Sequence, residues 1–597
     1  MKKKRIHAPT APVPLKPAGP DLWLRILEIS RQPAAVFFLG CFVLASVFIA
    51  TAYPLEDPDI WWHLKTGKHI CDTGTVPKTD IFSYVIHGHT WITFEWLSQA
   101  VFYKIWSAFG ALGIFAYREI MTALLFGVLF AIGAPAAVPA GAILLFGLSF
   151  ASTGIMERPQ LFTYFFALTC RVLLTHYDRR RLPTAAAIVV IHLLWANLHG
   201  GASVLGPLIL AAYAAGHFID GDRKTAREMV LIMMASVAVS LINPNTYKIY
   251  VILAATWFNP AQRWVLEWQP LSPSAPQFYL FAAYLALLTA ASFALPKPRR
   301  YTALILAGLF GFFFGFRSVR NVPVAFFITC PDLLAAAVAL CRGRKRLCGM
   351  LTIPLLLWLV FGHSPLVRLV RPEPASPDPI TKEWLAGTCD FIVRHNMRGR
   401  MYNDYVIGGY MIWRLAPERQ IFIDGRNLEY GAELMHRIAR ISMKDGFEDL
   451  DREYKYDYLV FQQRKDSRLL YLDQDPAWRC LYFDDGGLIY AHNGRAEGKL
   501  ADRLGFRYLR PNEPDFNYLG AYAADPRVSG EVLKELDRAI SQAPARLTAN
   551  AHLMKSYFLL VREGELPWAK WVSGVGDRFD YPQWKTQVAE ARKILSR

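Results

Sequence analysis

The stretch "LEDPDIWWHLKTGKHI", Leu55–Ile70, follows the first long apolar run of the chain and crowds acids, tryptophans, histidines and lysines together. Asp57 and Asp59 stand one residue apart. On an extended or turning backbone both carboxylates can reach one bound group, one deprotonating an attacking hydroxyl and the other orienting it or holding a divalent cation. The competing reading is a pair of loop carboxylates that only solvate a turn. His63 follows two residues after Trp61, and Trp61 and Trp62 read either as interface-belt anchors or as rings on which a substrate stacks.

Other polar residues join this stretch once the chain is threaded through a membrane. Of 597 residues, 53% are hydrophobic and 19% charged, too apolar for an ordinary soluble enzyme and too charged for a chain that is membrane throughout. Apolar runs dominate residues 33–365, about eleven of them, several shorter than the roughly 20 residues of a full crossing. The net charge of +17 comes largely from basic clusters between those runs: "DRRRLP" at Asp178, "DGDRKTARE" at Asp220, "PKPRR" at Pro296 and "CRGRKRLCG" at Cys341. The positive-inside rule puts these on the cytoplasmic side and removes the case for nucleic-acid binding. The basic segment 1–32 then lies in the cytoplasm and the run Pro33–Tyr53 is an uncleaved first span.

The loops left on the outer face are 54–111, "IMERPQ", "NLHGG", "WVLEWQPLSP" and "RSVRN". They bring Asp57, Asp59, His63, Glu95, Glu157, Arg158, His199, Glu267, Arg317, Arg320 and Asn321 to one side, with Asp57, Asp59 and Glu95 as the candidates for chemistry and the rest for substrate binding. His63 and His199 also read as ordinary polar groups at span ends. Arg317 and Arg320, three apart, suit a phosphate if they share a helix face, or else snorkel as anchors. Glu95 opens an amphipathic stretch that reads as a helix lying on the outer surface.

The remainder is mixed and polar. Residues 378–493 read as a small α/β domain with strands at "QIFID", "YDYLVFQ" and "GLIYAHN", and residues 497–597 as a helical tail containing one helical hairpin. Asp404 and Asp424 at strand ends read as turn or cap residues rather than catalytic ones. Cys389 and Cys480 can pair, although nothing in their spacing requires it.

With its acidic first outer loop, and with Gly74, Pro77 and Asp80 in the order "G..P..D", the chain resembles the GT-C glycosyltransferases that use polyprenyl-phosphate sugars, such as protein O-mannosyltransferases and lipid A aminoarabinose transferases. The resemblance covers about residues 33–363, and "MERPQLF" resembles their second outer loop. The chain is most similar to bacterial members with "D.D.WWHL", "HGG", "EW.P" and a later "GGY.IW…FIDGR", for which no substrate is assigned. It departs from the mannosyltransferases in having "DPDIWWH" where those have an Asp-Glu pair. The resemblance implies a lipid-linked sugar donor, a glycan, lipid or protein acceptor, and an inverting transfer on the periplasmic face of a bacterial inner membrane. An outer-loop carboxylate, Asp59 before Asp57, would be the base, and Arg158, Arg317 or Arg320, with or without a divalent cation, would hold the departing phosphate. The alternatives are a transporter, for which His192 and Asp332 within spans are the candidate ionisable groups, and a non-catalytic scaffold of the same build.

Overall fold

The computed structural model describes residues 22–260, 262, 265–361, 385–463 and 467–596. The first 21 residues of the basic N-terminal segment, and the join between membrane part and soluble domain at 362–384, lie outside the described residues.

The apolar runs fold as helices. Among the described residues, five stretches are long and apolar enough to cross a membrane: Pro33–Thr51, Trp96–Gly154, Arg181–Leu198, Gly200–Ile219 and Asn321–Gly343. Gln160–Thr175, Lys248–Trp257 and Pro276–Ser292 are shorter apolar helices, so length and composition support fewer crossings than the eleven runs suggest. Phe37, Phe38, Ile120, Leu231, Met234 and Phe312 stand exposed on the outside, a burial pattern water does not favour and lipid does. The chain has the build of a helical membrane protein.

The helix Trp96–Gly133 breaks at Gly110, whose φ of 60° and ψ of −149° are not helical. The break separates the amphipathic piece after Glu95 from the apolar run beyond it. Further along, Ala307–Gly315, "AGLFGFFFG", winds as a π-helix between two α-helical pieces, a local widening often found beside functional sites.

The soluble part is built on a four-stranded sheet of order β1-β2-β4-β3. The strands are β1 (Met401–Asn403), β2 (Tyr458–Gln462), β3 (Trp478–Phe483) and β4 (Gly487–His492). β1 runs parallel to β2, while β2–β4 and β3–β4 are antiparallel. The expected strand "QIFID" is not in this sheet. Its Ile421 makes an isolated parallel bridge to Ser83 of the first outer loop. Cys389 and Cys480 are buried and unpaired; the disulfide among the described residues joins Cys341 to Cys348. The tail includes the expected hairpin as helices Ser529–Gln542 and Ala549–Glu563.

The outer loop and the soluble domain share their interior. Ile86 of the loop sits in the apolar core that holds Tyr402, Phe422 and Leu459. The helix Gly408–Leu415 packs against the loop helix Asp59–Thr73, so closely that a Cβ on Gly409 would stand 2.3 Å from the Pro58 carbonyl oxygen. Trp61 and Trp62 are buried at this junction, Trp61 edge-on to Tyr410 at 5.0 Å, and so neither is a belt anchor in lipid.

Candidate active site

Between the membrane helices, the first loop and the soluble domain lies a cavity of about 930 Å³. Its apolar wall comes from span-side residues such as Leu205, Leu208, Leu253, Trp257, Phe313 and Val324. Its polar side carries Asp59, His63, Glu95, Arg158, His199, Glu267, Arg320 and Asn321. Loops far apart in sequence therefore converge on one wall.

Arg158 is the hub. Its Nε and Nη2 donate to Asp57 Oδ2 and Oδ1 at 2.5 and 2.8 Å, Nη2 also lies 3.2 Å from Asp59 Oδ2, and Nη1 donates to Glu267 Oε2 at 3.0 Å. Glu267 Oε1 takes a second hydrogen bond, 2.5 Å, from Arg320 Nη1. The Glu267 carboxyl, which burial alone would push up, is lowered by Arg320 and Arg158.

The two aspartates part company here. Asp57 is buried, accepts from Arg158 through both oxygens and does not line the cavity. Asp59 opens the loop helix, faces the cavity, and accepts from Trp62 Nε1 at 3.2 Å. The residue before a proline is biased to extended backbone, which by itself would leave Asp57 in an open loop, but here it is buried. The 156–158 turn folds over Asp57 and removes it from water. Burial pushes the Asp57 carboxyl up, to about 7, against the pull of Arg158.

Glu157 is likewise withdrawn from substrate. It is fully buried, accepts from Arg118 Nη1 at 2.8 Å, and takes the Asp57 backbone N–H. Arg118 also donates to Glu119, which accepts from Thr51, so this network ties the first span to the helix of Arg118. Arg118 and Glu119 escape a sequence reading because they lie inside an apolar run; two adjacent opposite charges there are the available signal.

Glu95 joins two histidines. His199 Nε2 is 3.3 Å from Oε1 and His63 Nδ1 is 3.8 Å from Oε2. Thr163 Oγ1, which accepts from Trp195 Nε1 at 2.9 Å, lies 2.7 Å from His199 Nδ1 and fixes that ring. Burial pushes Glu95 up, but the hydrogen bond with His199 leads the contacts that outweigh it, and the net shift is downward. Burial takes the His63 imidazole down to about 4, so it is neutral at physiological pH.

Arg317 stands apart from the expected pair. It is exposed, with its guanidinium 4.5 Å from the Trp257 ring centre, and does not line the cavity. Arg317 ends one helix and Arg320 lies in the turn before Asn321–Gly343, so the same-face rule for positions three apart does not apply between them. Asn321 Nδ2 donates to the Phe314 carbonyl at 3.0 Å and anchors the end of the π-helical segment.

The remaining wall was not legible in the sequence. Tyr405, Gly425, Arg426, Asn427 and Glu429 of the soluble domain line the same cavity. Arg426 is clamped between Asp80 of the first loop, 2.6 Å from Nη1, and Asp424, 2.6 Å from Nη2, with its guanidinium 4.6 Å from the Trp91 ring centre. Asp424 thus has the structural role its strand-end position suggested, and Asp80 gains a partner some 350 residues away.

The space between Asp57 and Asp59 does not fit a divalent cation, because the Arg158 guanidinium already fills it. Among the described residues no group of three or more His, Cys, Asp or Glu is disposed to hold a metal. A scan of protein-family models finds no match to this chain, and a search of curated proteins finds none either. Within the spans, Asp332 is paired with Arg171 and Arg299, and His192 Nδ1 is hydrogen-bonded to the Ile188 carbonyl. Neither lines the cavity.

Proposed function

We propose that the protein is a membrane glycosyltransferase that moves a sugar from a polyprenyl-phosphate donor to a hydroxyl-bearing acceptor at the outer face of a bacterial inner membrane. The observation that carries this reading is the two-sided cavity. An apolar wall supplied by membrane helices suits a lipid chain, and it adjoins a polar wall with a carboxylate and two arginines, which suits a sugar phosphate. In the transfer, the acceptor oxygen bonds to the anomeric carbon with inversion. The bond from that carbon to the phosphate oxygen breaks, its electron pair stays on the lipid phosphate, and the acceptor proton passes to a carboxylate. Arg320 and Arg158, now bridged by Glu267, take the phosphate when it displaces that carboxylate. Asp59 holds the acceptor hydroxyl and offsets positive charge building at the anomeric carbon.

The test is turnover. The purified full-length chain in lipid nanodiscs, given a panel of short-chain polyprenyl-phosphate hexoses and pentoses, should release polyprenyl phosphate from at least one of them. A strain lacking the protein should accumulate a lipid-linked sugar or lack a glycan. Absence of both results would overturn the reading. Orientation is checked separately: reporter fusions after Arg181 should read cytoplasmic and those after Arg371 periplasmic.

One observation favours a second reading, a non-catalytic protein that holds or moves an envelope lipid: each arginine lining the cavity is already paired with a carboxylate. That reading expects lipid binding without turnover and full function in Asp59→Asn.

A further inference from the structure

Four carboxylates line the cavity, and their surroundings differ. Asp59 already accepts from Trp62 and lies against Arg158. Glu95 is joined to His199, and Glu267 bridges Arg158 and Arg320. Glu429 differs from all three: among the described residues no side chain makes a hydrogen bond or ion pair with its carboxylate. It stands in the single helical turn before the break at Gly431, half-buried, and lines the cavity.

Its position is rigidly set. Arg426 Nε and the Arg426 backbone N–H both donate to Asp424 Oδ1, at 2.8 and 2.9 Å, and the Glu429 N–H donates to the Arg426 carbonyl at 3.0 Å. The clamp to Asp80 fixes this turn against the first outer loop. Gly425 brings the turn so close to that loop that a Cβ on it would stand 2.0 Å from Asp59 Oδ1. The soluble domain therefore presents Glu429 on a wall held against the loop that carries Asp59. Nearby on the cavity lining, the Nε2 of Gln262 is buried without a hydrogen-bond partner among the described residues, an unfilled donor for a polar ligand.

We propose that Glu429, supplied by the C-terminal domain, is the group lining this cavity that accepts the proton of the acceptor hydroxyl. This rests on the transfer reading above. The carboxylate takes the proton as the acceptor oxygen bonds to the anomeric carbon, and it returns the proton to water after product leaves. A carboxylate already bound to a guanidinium has its lone pairs engaged, whereas an unpaired and partly desolvated one is free to take a proton. The groups facing Glu429 fit this task. Burial raises its carboxyl to about 7, Arg426 opposes, and Asp80 and Asp424 add to the rise. Proton acceptance then works at neutral pH, and the C-terminal domain becomes part of the catalytic centre.

Two measurements on the full-length chain test this. The first needs no substrate: infrared difference titration should show carboxyl absorption that titrates near pH 7 in wild type and is reduced in Glu429→Gln, with the share of Asp57 remaining. The second is transfer from whichever donor of the hexose and pentose panel wild type consumes. Glu429→Gln should bind that donor as wild type does, lose on the order of 10²-fold or more in kcat, and lose the rise in rate with pH through about 7. Glu429→Asp should recover part of the rate and keep the rise. Wild-type kcat and pH profile in Glu429→Gln would overturn this assignment and leave the transfer reading standing, and so would an unchanged infrared band. A wild-type chain that consumes no donor would overturn both.

Discussion

Adding one methyl at Gly409 should loosen the soluble domain from the first outer loop without unfolding either. The Cβ of Gly409→Ala would stand 2.3 Å from the Pro58 carbonyl oxygen, where real Cβ contacts essentially never fall below 3.0 Å, so the two backbones must part by about 0.7 Å. Pro58 immediately precedes the loop helix and cannot rotate aside as a side chain would. Overpacking of this kind costs about 1–3 kcal/mol. Because the clash is with backbone the cost falls in the upper half of that range, about 2–3 kcal/mol, and alanine returns up to about 1 kcal/mol in helix propensity, leaving a net loss of about 1–2 kcal/mol. The readout is amide hydrogen exchange at two backbone bonds that cross the junction, Tyr84 N–H to the Ile421 carbonyl and Ile421 N–H to the Phe82 carbonyl, 3.1 and 3.0 Å long. Local opening should become roughly 5–30-fold more frequent, and exchange there faster by that factor. Gly127→Ala, whose methyl meets nothing within 4 Å, is the control and should leave both amides unchanged. Unaltered or slower exchange in a folded Gly409→Ala protein would refute the claim that loop and domain are docked through this contact.

Asp59→Asn should keep the fold and cut transfer by on the order of 10²-fold or more. Asp57→Asn keeps the shape and an acceptor for Arg158, which stays paired with Asp59 and Glu267, so it should cost transfer less than Asp59→Asn does, and added divalent cation should not change that. Arg317→Ala should leave donor affinity within about twofold, the behaviour of an exposed side chain, whereas Arg320→Ala should weaken it about tenfold or more in a donor-binding titration. For Glu429, burial raises the folded carboxyl from an ordinary 4.5 to about 7. Its contribution to stability is full below pH 4.5 and is lost as pH rises through about 7, so Glu429→Gln should gain on wild type across that window and stay level above it, as followed by melting temperature against pH.

Much of the cavity's polar wall was anticipated by grouping the loops that lack basic clusters, which are far apart in sequence. Asp59, Glu95, Arg158, His199, Glu267 and Arg320, all from those loops, come together in the cavity lining. Local rules failed where they were stretched past an element boundary. Spacing of three placed Arg317 beside Arg320, but a helix ends between them. The proline after Asp57 biases its backbone to an extended form, but that local preference says nothing about Arg158 folding over it from a loop a hundred residues later. The expected strand "QIFID" has the right residues for an extended segment, and it is extended against the loop rather than in the sheet.

The soluble domain's share of the cavity could not be read from sequence for a related reason. Asp424 followed by Gly425 and Arg426 looks like any strand end, and Asp424 does hold a turn together, as strand-end aspartates commonly do. The consequence of that turn is what local sequence cannot show. Asp424 holds Arg426, Arg426 reaches Asp80, and the turn so fixed sets Gly425 against Asp59 and Glu429 into the cavity. The "G..P..D" pattern of the first loop acquires a physical role by the same chain: Gly74 ends the loop helix in a left-handed conformation with φ of 67°, and Asp80 supplies the carboxylate on which the domain is latched. The crowding of "EDPDIWWH" then has a cause beyond chemistry. Its two aspartates, two tryptophans and Pro58 serve one small volume where three parts of the chain meet, and only Asp59, Trp62, His63 and Pro58 of that stretch are left facing the space in between.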